Sequence, residues 1–186
     1  MSCEIANGRL EVCKDAVGGI DAIYFINFGD YSYPADVAYL STTDTIDTIA
    51  NVTSLYKFEL KGTNTFDQVV NSSRENGTSF VEQTLTFTLK KQDATTHKTV
   101  KLLSYGRPNV VIKNRNNQFF LAGLEHGMEL TTANIVNGSA MGDLNGYTLT
   151  LVGQEKLAAN LLDCSSEADL AGTVGDVFGT ATIVSA

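Results

Sequence analysis

The clearest periodic signal in the chain is an unbroken alternation over residues 81–90. Val81, Gln83, Leu85, Phe87 and Leu89 take one face, and Glu82, Thr84, Thr86, Thr88 and Lys90 take the other. Side chains on an extended backbone point alternately to opposite sides, so this period of two predicts a strand with one dry face. Residues 55–61 repeat it, with Tyr56, Phe58 and Leu60 set against Lys57, Glu59 and Lys61. The edge N–H and C=O groups of such a strand need partners. Residues 20–28 are apolar apart from Asp21 and Asn27, aromatic and β-branched, and read as a buried strand. Shorter strands are expected around Val37–Leu40 and Phe66–Val70.

Residues 109–155 read as a meander of short strands punctuated by Asn and Gly, with a turn at 113–118 and a tight reversal or bulge at Glu125-His126-Gly127. One helix is expected, over Asp93–Tyr105. Asp93 can cap it, Val100 and Leu103 share a face, and Gly106 and Pro108 stop it. Asn7-Gly8 is a two-residue hairpin signal that would pair Ile5 with Leu10, although it also sets Glu4 opposite Glu11.

The remaining stretches are polar. Residues 29–41 read largely as loop, 42–53 are ambiguous, and 71–78 form a polar excursion. Residues 163–186 carry no cation, and Val177–Val184 is either a last strand or part of a tail that orders only against a neighbour. Ordering backbone costs about 1–2 kcal/mol per residue. Segments 29–53, 62–80 and 163–186 are therefore expected to be mobile in an isolated subunit or to order against other copies.

At 186 residues and 43% hydrophobic content, the chain suits one domain, 1–186, with its own core. With 16 Gly and 2 Pro, the turns fall to Gly and Asn. Its 13 cations against 21 carboxylates, net charge -8, argue against gripping nucleic acid, because affinity for phosphate comes from Lys and Arg. Acidity has two readings: it repels a nucleic-acid backbone passing nearby, or it only keeps the protein soluble. The N-terminal residues lack a basic start followed by an apolar run, and no apolar run reaches the roughly 20 residues that span a bilayer. Synthesis in a cytoplasm, with no membrane partner, is the expectation.

Catalytic chemistry is sparse. No nucleophile elbow, P-loop, dinucleotide fingerprint, zincin motif or calcium loop occurs. Gly172, Gly175 and Gly179 are spaced like a nucleotide loop but lack its strand-to-helix setting. Cys3, Cys13 and Cys164 show no zinc-type spacing with His97 or His126, so free thiols and no metal are expected. His126 beside Glu125 is a catalytic imidazole or a solvated turn residue. Asp143 and Glu155 form either a glycosidase pair or ordinary strand-end acids, with Asp143 bonding amides in the 142–146 loop.

The stretch Phe119-Phe-Leu-Ala-Gly-Leu-Glu125, followed by Gly142-Asp-Leu-Asn-Gly-Tyr-Thr-Leu-Thr-Leu-Val-Gly-Gln-Glu155 and preceded by a single mid-chain helix, resembles the bacteriophage tail tube (major tail) protein family. That family is related to the inner tubes of contractile injection systems, and the likeness covers mainly residues 80–160. It implies a mainly β, single-domain β-sandwich or barrel with one flanking α-helix, assembling into stacked rings, typically hexameric. It further implies a structural virion protein of the tail, assembled in the bacterial host cytoplasm. No catalytic residue, cofactor or metal is implied. The partners implied are other copies, tail components such as sheath, terminator or baseplate proteins, and DNA that passes without specific binding. The polar excursions would be stacking arms. The implied contact residues are Thr63, Asn64, Arg74, Glu75, Asn76, Asp143, Asn145 and Tyr147. Competing readings are a capsid decoration or other virion β-protein, a soluble carbohydrate- or ligand-binding β-module, and a small hydrolase.

Overall fold

Residues 8–11 and 13–185 are described by the computed structural model, and they form a mainly β fold with one helix. The buried strand read from the sequence is β1 (Ile20–Ile26), which lies inside a six-stranded sheet. It pairs antiparallel with β4 (Ser54–Glu59) on one side and β7 (Asn109–Asn114) on the other. Beyond β7 come β8 (Phe119–Ala122) and the two-residue β11 (Asn160–Leu161). Beyond β4 comes β12 (Thr182–Val184), which runs parallel to it.

A second sheet holds four antiparallel strands in the order β5 (Thr65–Ser73), β6 (Thr78–Lys90), β10 (Gly146–Glu155) and β9 (Glu129–Val136). A small hairpin, β2 (Val37–Tyr39) with β3 (Ile46–Ile49), stands apart. The helix α1 (Ala94–Leu103) follows β6. Its start is set by Asp93, whose Oδ1 accepts from the Thr96 amide at 2.8 Å and whose Oδ2 accepts from the Thr96 hydroxyl at 2.6 Å. These bonds hold the Asp93 carboxyl below the usual carboxylate range.

Two apolar layers result because the six-stranded sheet is covered on both faces. Ile23, Phe25, Val110 and Ile112 meet Leu85, Phe87, Tyr147, Leu149 and Leu151 of the four-stranded sheet, and Val100 of α1 packs in the same layer. On the opposite face Tyr24, Ile26, Leu55, Val111, Phe119 and Leu121 meet Ile46 and Ile49 of the hairpin and Leu170, Val177 and Phe178 of the C-terminal segment. Continuous apolar sequence in β1 follows directly: neither face sees water.

Three expectations need correction here. Residues 55–61 do not have a single dry face: Leu55 is buried in the second layer, Phe58 and Leu60 belong to the first, and Tyr56 is exposed. The edge of β4 is also filled, by β12 of the same chain. Segments 29–53 and 163–185 are not loose arms, since few but deeply buried apolar side chains fix them. Polar side chains hold their coils: Asp36 accepts from the Ser32 amide and from Asn51, and Asp169 accepts from both hydroxyls of Ser165 and Ser166. The 62–80 excursion is mostly strand, with its turn at 74–77. The hairpin expected at Asn7-Gly8, and Cys3, lie outside the described residues. Cys13 and Cys164 are free thiols, and burial pushes the Cys164 thiol up to about 12. Among the described residues no helix is long and apolar enough to cross a membrane.

Candidate functional site

The four-stranded sheet keeps the alternation of its sequence in register across three strands. Phe87 sits opposite Leu149, and Leu85 lies between Phe66 and Leu151, all turned toward the first apolar layer. Gln83 shares this face and is buried, so its amide must be satisfied. Its Oε1 accepts from the Gly123 amide at 2.9 Å and its Nε2 donates to the Leu157 carbonyl at 3.4 Å.

The other face is a field of hydroxyls. Thr84, Thr86 and Thr88 of β6 stand opposite Val152, Thr150 and Thr148 of β10, and the Thr86 and Thr150 hydroxyls are 3.2 Å apart. Thr65 and Asp67 extend the field on β5, and Thr132 and Asn134 extend it on β9. Its charges are the carboxylates of Asp67, Glu82 and Glu129 and the single ammonium of Lys90, which the register places at the opposite end from those carboxylates. Such a face hydrogen-bonds water well and offers a phosphate backbone little to hold.

Both edges of this sheet are long. β5 spans 9 residues and β9 spans 8, and each is a terminal strand. Val69 and Val70 on β5 and Ile135 and Val136 on β9 are exposed, Val70 at 65%. One β9 carbonyl, that of Val136, accepts from Gln92 Nε2 at 2.9 Å. β5 and β6 also continue past β10, whose last pair is Glu155 with Val81, through Asn71–Phe80, Ser72–Ser79 and Ser73–Thr78 to the turn. That makes a protruding arm on which Phe80 is exposed.

The implied contact residues fall into three groups. Arg74, Glu75 and Asn76 sit together, exposed, at the tip of the arm, where the Asn76 amide donates to Ser73 Oγ at 3.3 Å. Thr63, Asp143 and Asn145 are exposed at the other end of the sheet. Asn64 and Tyr147, in correction of the expectation, lie inside the subunit. Asn64 Oδ1 accepts from the Thr88 amide at 3.0 Å and fastens the start of β5 to β6. Tyr147 is on the core face of β10, in phase with Leu149 and Leu151, and its hydroxyl donates to the Asp93 carbonyl at 3.4 Å. The exposed pairs Val69-Val70 and Ile135-Val136 escaped the sequence reading. Their signal was two adjacent β-branched residues in polar surroundings, where an edge has to be exposed on both faces for neither to be buried.

The residues considered for catalysis are separated or occupied. Asp143 and Glu155 stand at opposite ends of β10, 10 residues long, or roughly 30 Å at ~3.3 Å per residue. A glycosidase pair works within about 10 Å. Asp143 Oδ2 accepts from the Ser139 and Ala140 amides at 2.9 and 2.8 Å, upstream of the loop expected, and these donors depress its carboxyl pKa, Ala140 most. Glu155 is buried: its Oε1 accepts from the Glu125 and His126 amides at 3.0 and 2.7 Å, and its Oε2 faces His126 Nδ1 at 3.2 Å.

Glu125 pairs with Lys156 at 3.0 Å. Glu125, His126 and Glu155 present ligand-type atoms within 4.8 Å of one another, the one such group among the described residues. With one oxygen of Glu155 held by two amides and Glu125 held by Lys156, the cluster fastens the Gly123–Gly127 turn to the end of β10. The carboxylate against the His126 ring is Glu155 and not the adjacent Glu125, and the imidazole stands at a turn. No protein-family model, no curated protein and no solved structure matches this chain.

Proposed function

We propose that this chain is the repeating subunit of a tail-tube-type polymer, in which neighbouring four-stranded sheets join edge to edge into a ring and the rings stack into a conduit for DNA. The observation that carries the reading is the contrast between two long, open, apolar-dotted edges and the finished edges elsewhere in the subunit. A strand that leaves its N–H and C=O groups unpaired is a template for another strand. Pairing β5 of one copy with β9 of the next is heterologous, and a heterologous contact closes into a ring when its rotation divides a full turn.

In such a ring the apolar layer points outward and the hydroxyl face lines the channel. Threonine hydroxyls keep water ordered on the wall, while Asp67, Glu82 and Glu129 repel phosphate. The duplex then passes without a site to stop at. The ends of a stack would meet other tail proteins of the sheath, terminator or baseplate kind.

Negative-stain electron microscopy with sedimentation velocity on the concentrated full-length protein tests this. Rings or tubes of uniform diameter are the expected result, and the double variant Ile135→Lys/Val136→Lys should sediment as a folded monomer. A wild-type protein that stays monomeric at high concentration would overturn the reading and favour a ligand-binding β-module.

A further inference from the structure

Four asparagines of this chain precede glycine: Asn7, Asn76, Asn137 and Asn145. Such a pair carries its own chemistry. The backbone nitrogen of the following residue can attack the side-chain carbonyl carbon of Asn, and glycine, with no Cβ, leaves that nitrogen uncrowded. Every other Asn here precedes a residue with a side chain. Ring closure also requires the Asn–Gly peptide to turn, so it proceeds only where the fold leaves that peptide free. Asn7 lies outside the described residues, and the structure treats the other three differently.

Two of the three are locked. Gly146 opens β10, is buried, and is paired with Lys90 on one side and Val136 on the other. A Cβ at its position would collide with the Leu89 carbonyl oxygen, and the Asn145 carbonyl accepts from the Lys91 amide at 2.6 Å. Turning the Asn145–Gly146 peptide would undo the start of β10. Gly138 is pressed against Asp143: a Cβ there would stand 2.6 Å from the Asp143 Cβ, and Asp143 Oδ2 draws in the next two amides, of Ser139 and Ala140. Asn76-Gly77 has neither restraint. Both residues are exposed in the 74–77 turn at the tip of the β5–β6 arm, and no atom comes within 4 Å of where a Gly77 Cβ would stand. The Asn76 amide donates to Ser73 Oγ at 3.3 Å, long for such a bond. The Asn76 side chain and the Gly77 nitrogen have no hydrogen-bond partner among the described residues.

We propose that Asn76 is a site of spontaneous covalent modification, converting to aspartate and isoaspartate without an enzyme. The Gly77 nitrogen loses its proton and bonds to Asn76 Cγ, while the Cγ–Nδ2 bond breaks and ammonia leaves with that proton. The product is a five-membered succinimide. Water then opens the ring. Cleavage of the new Cγ–N bond gives aspartate on an unchanged backbone, and cleavage of the original peptide C–N bond leaves the chain running through the side chain as isoaspartate. No oxidant or reductant takes part. Because the attacking nitrogen must lose its proton, the rate rises with pH. The tip, where Arg74 balances Glu75, gains a second carboxylate, and the isoaspartate form lengthens the turn by one backbone atom. Exposed loop tips tolerate such insertions. The chemistry needs a single copy of the chain and holds whether or not copies assemble.

The test follows the full-length protein by peptide mapping and mass spectrometry after incubation at mildly alkaline and at mildly acidic pH, beside a sample unfolded in guanidinium chloride. In the folded protein the Asn76 peptide should gain one mass unit at least tenfold faster than the Asn137 and Asn145 peptides, and faster at the alkaline pH. A protein L-isoaspartyl methyltransferase with labelled S-adenosylmethionine should then label that peptide, and Asn76→Ser should remove both signals. In the unfolded sample the three peptides should convert at similar rates, since the fold rather than the local sequence restrains Asn137 and Asn145. Equal rates at the three sites in the folded protein, faster conversion at Asn137 or Asn145, or a tenfold preference for Asn76 that persists on unfolding would each overturn the proposal. So would an Asn76 that keeps its mass while folded and converts only in denaturant.

Discussion

The two large sheets of this molecule are built to different ends. The six-stranded sheet is covered on both faces and finishes in strands of 2 and 3 residues, β11 and β12, too short to template anything. The four-stranded sheet is covered on one face only and finishes in strands of 9 and 8 residues with exposed Val69, Val70, Ile135 and Ile135's neighbour Val136. One chain thus holds a completed sheet and an uncompleted one. Edge length and edge chemistry, more than overall composition, set the two sheets apart.

The comparison breaks most readily where the finished sheet gets its cover. Phe178 is 2% exposed in the layer over Tyr24 and Leu121, so Phe178→Ala should lower unfolding free energy by about 3–5 kcal/mol in urea titration. An effect below about 1 kcal/mol would mean that the C-terminal segment does not cover this sheet. Next in size is the clamp between the sheets. Glu155→Leu strips the acceptor from the partly buried Glu125 and His126 amides, at a cost of about 1–3 kcal/mol in all. Adding EDTA to wild type leaves its melting temperature unchanged if amides and Lys156 alone occupy these carboxylates.

On the unfinished sheet the same experiment should give almost nothing. Ile135→Lys/Val136→Lys lies on the exposed edge and should shift monomer stability by less than about 0.5 kcal/mol while abolishing assembly. A large loss of monomer stability there would erase the distinction between the sheets. The smallest effect is one of pH. The Asp169 carboxyl is held below its ordinary 3.8 first by the Ser166 hydroxyl and then by that of Ser165. A depressed carboxylate contributes its full stabilisation above its ordinary value and loses it as pH falls through the lower native one. Pepsin should therefore cut the 165–178 segment faster as pH drops below about 4, and Asp169→Asn should blunt that dependence.

Strands with strict alternation or continuous apolar runs were legible in the sequence, because the signal for β6 and β1 is local. The helix was legible for the same reason: Asp93 and Gly106 bracket it. Segments 29–53 and 163–185 were misjudged because their stability rests on a few side chains, such as Ile46 and Phe178, that dock onto strands far away in sequence. Tyr147 and Asn64 were placed on the surface although Tyr147 falls in phase with Leu149 and Leu151, a parity visible in the sequence. Of the open edges only the adjacent pairs Val69-Val70 and Ile135-Val136 left a trace in the sequence, since strand order within a sheet is a long-range property that no window of residues contains.

Amide hydrogen exchange across a concentration series tests the central claim, that the four-stranded sheet is completed by another copy. As the protein assembles, amides of β5 and β9 should slow at least tenfold, while those of β1 and β7, already paired on both sides, stay as they are. Assembly that leaves β5 and β9 exchanging at the monomer rate, or that protects β11 and β12 instead, would contradict the account.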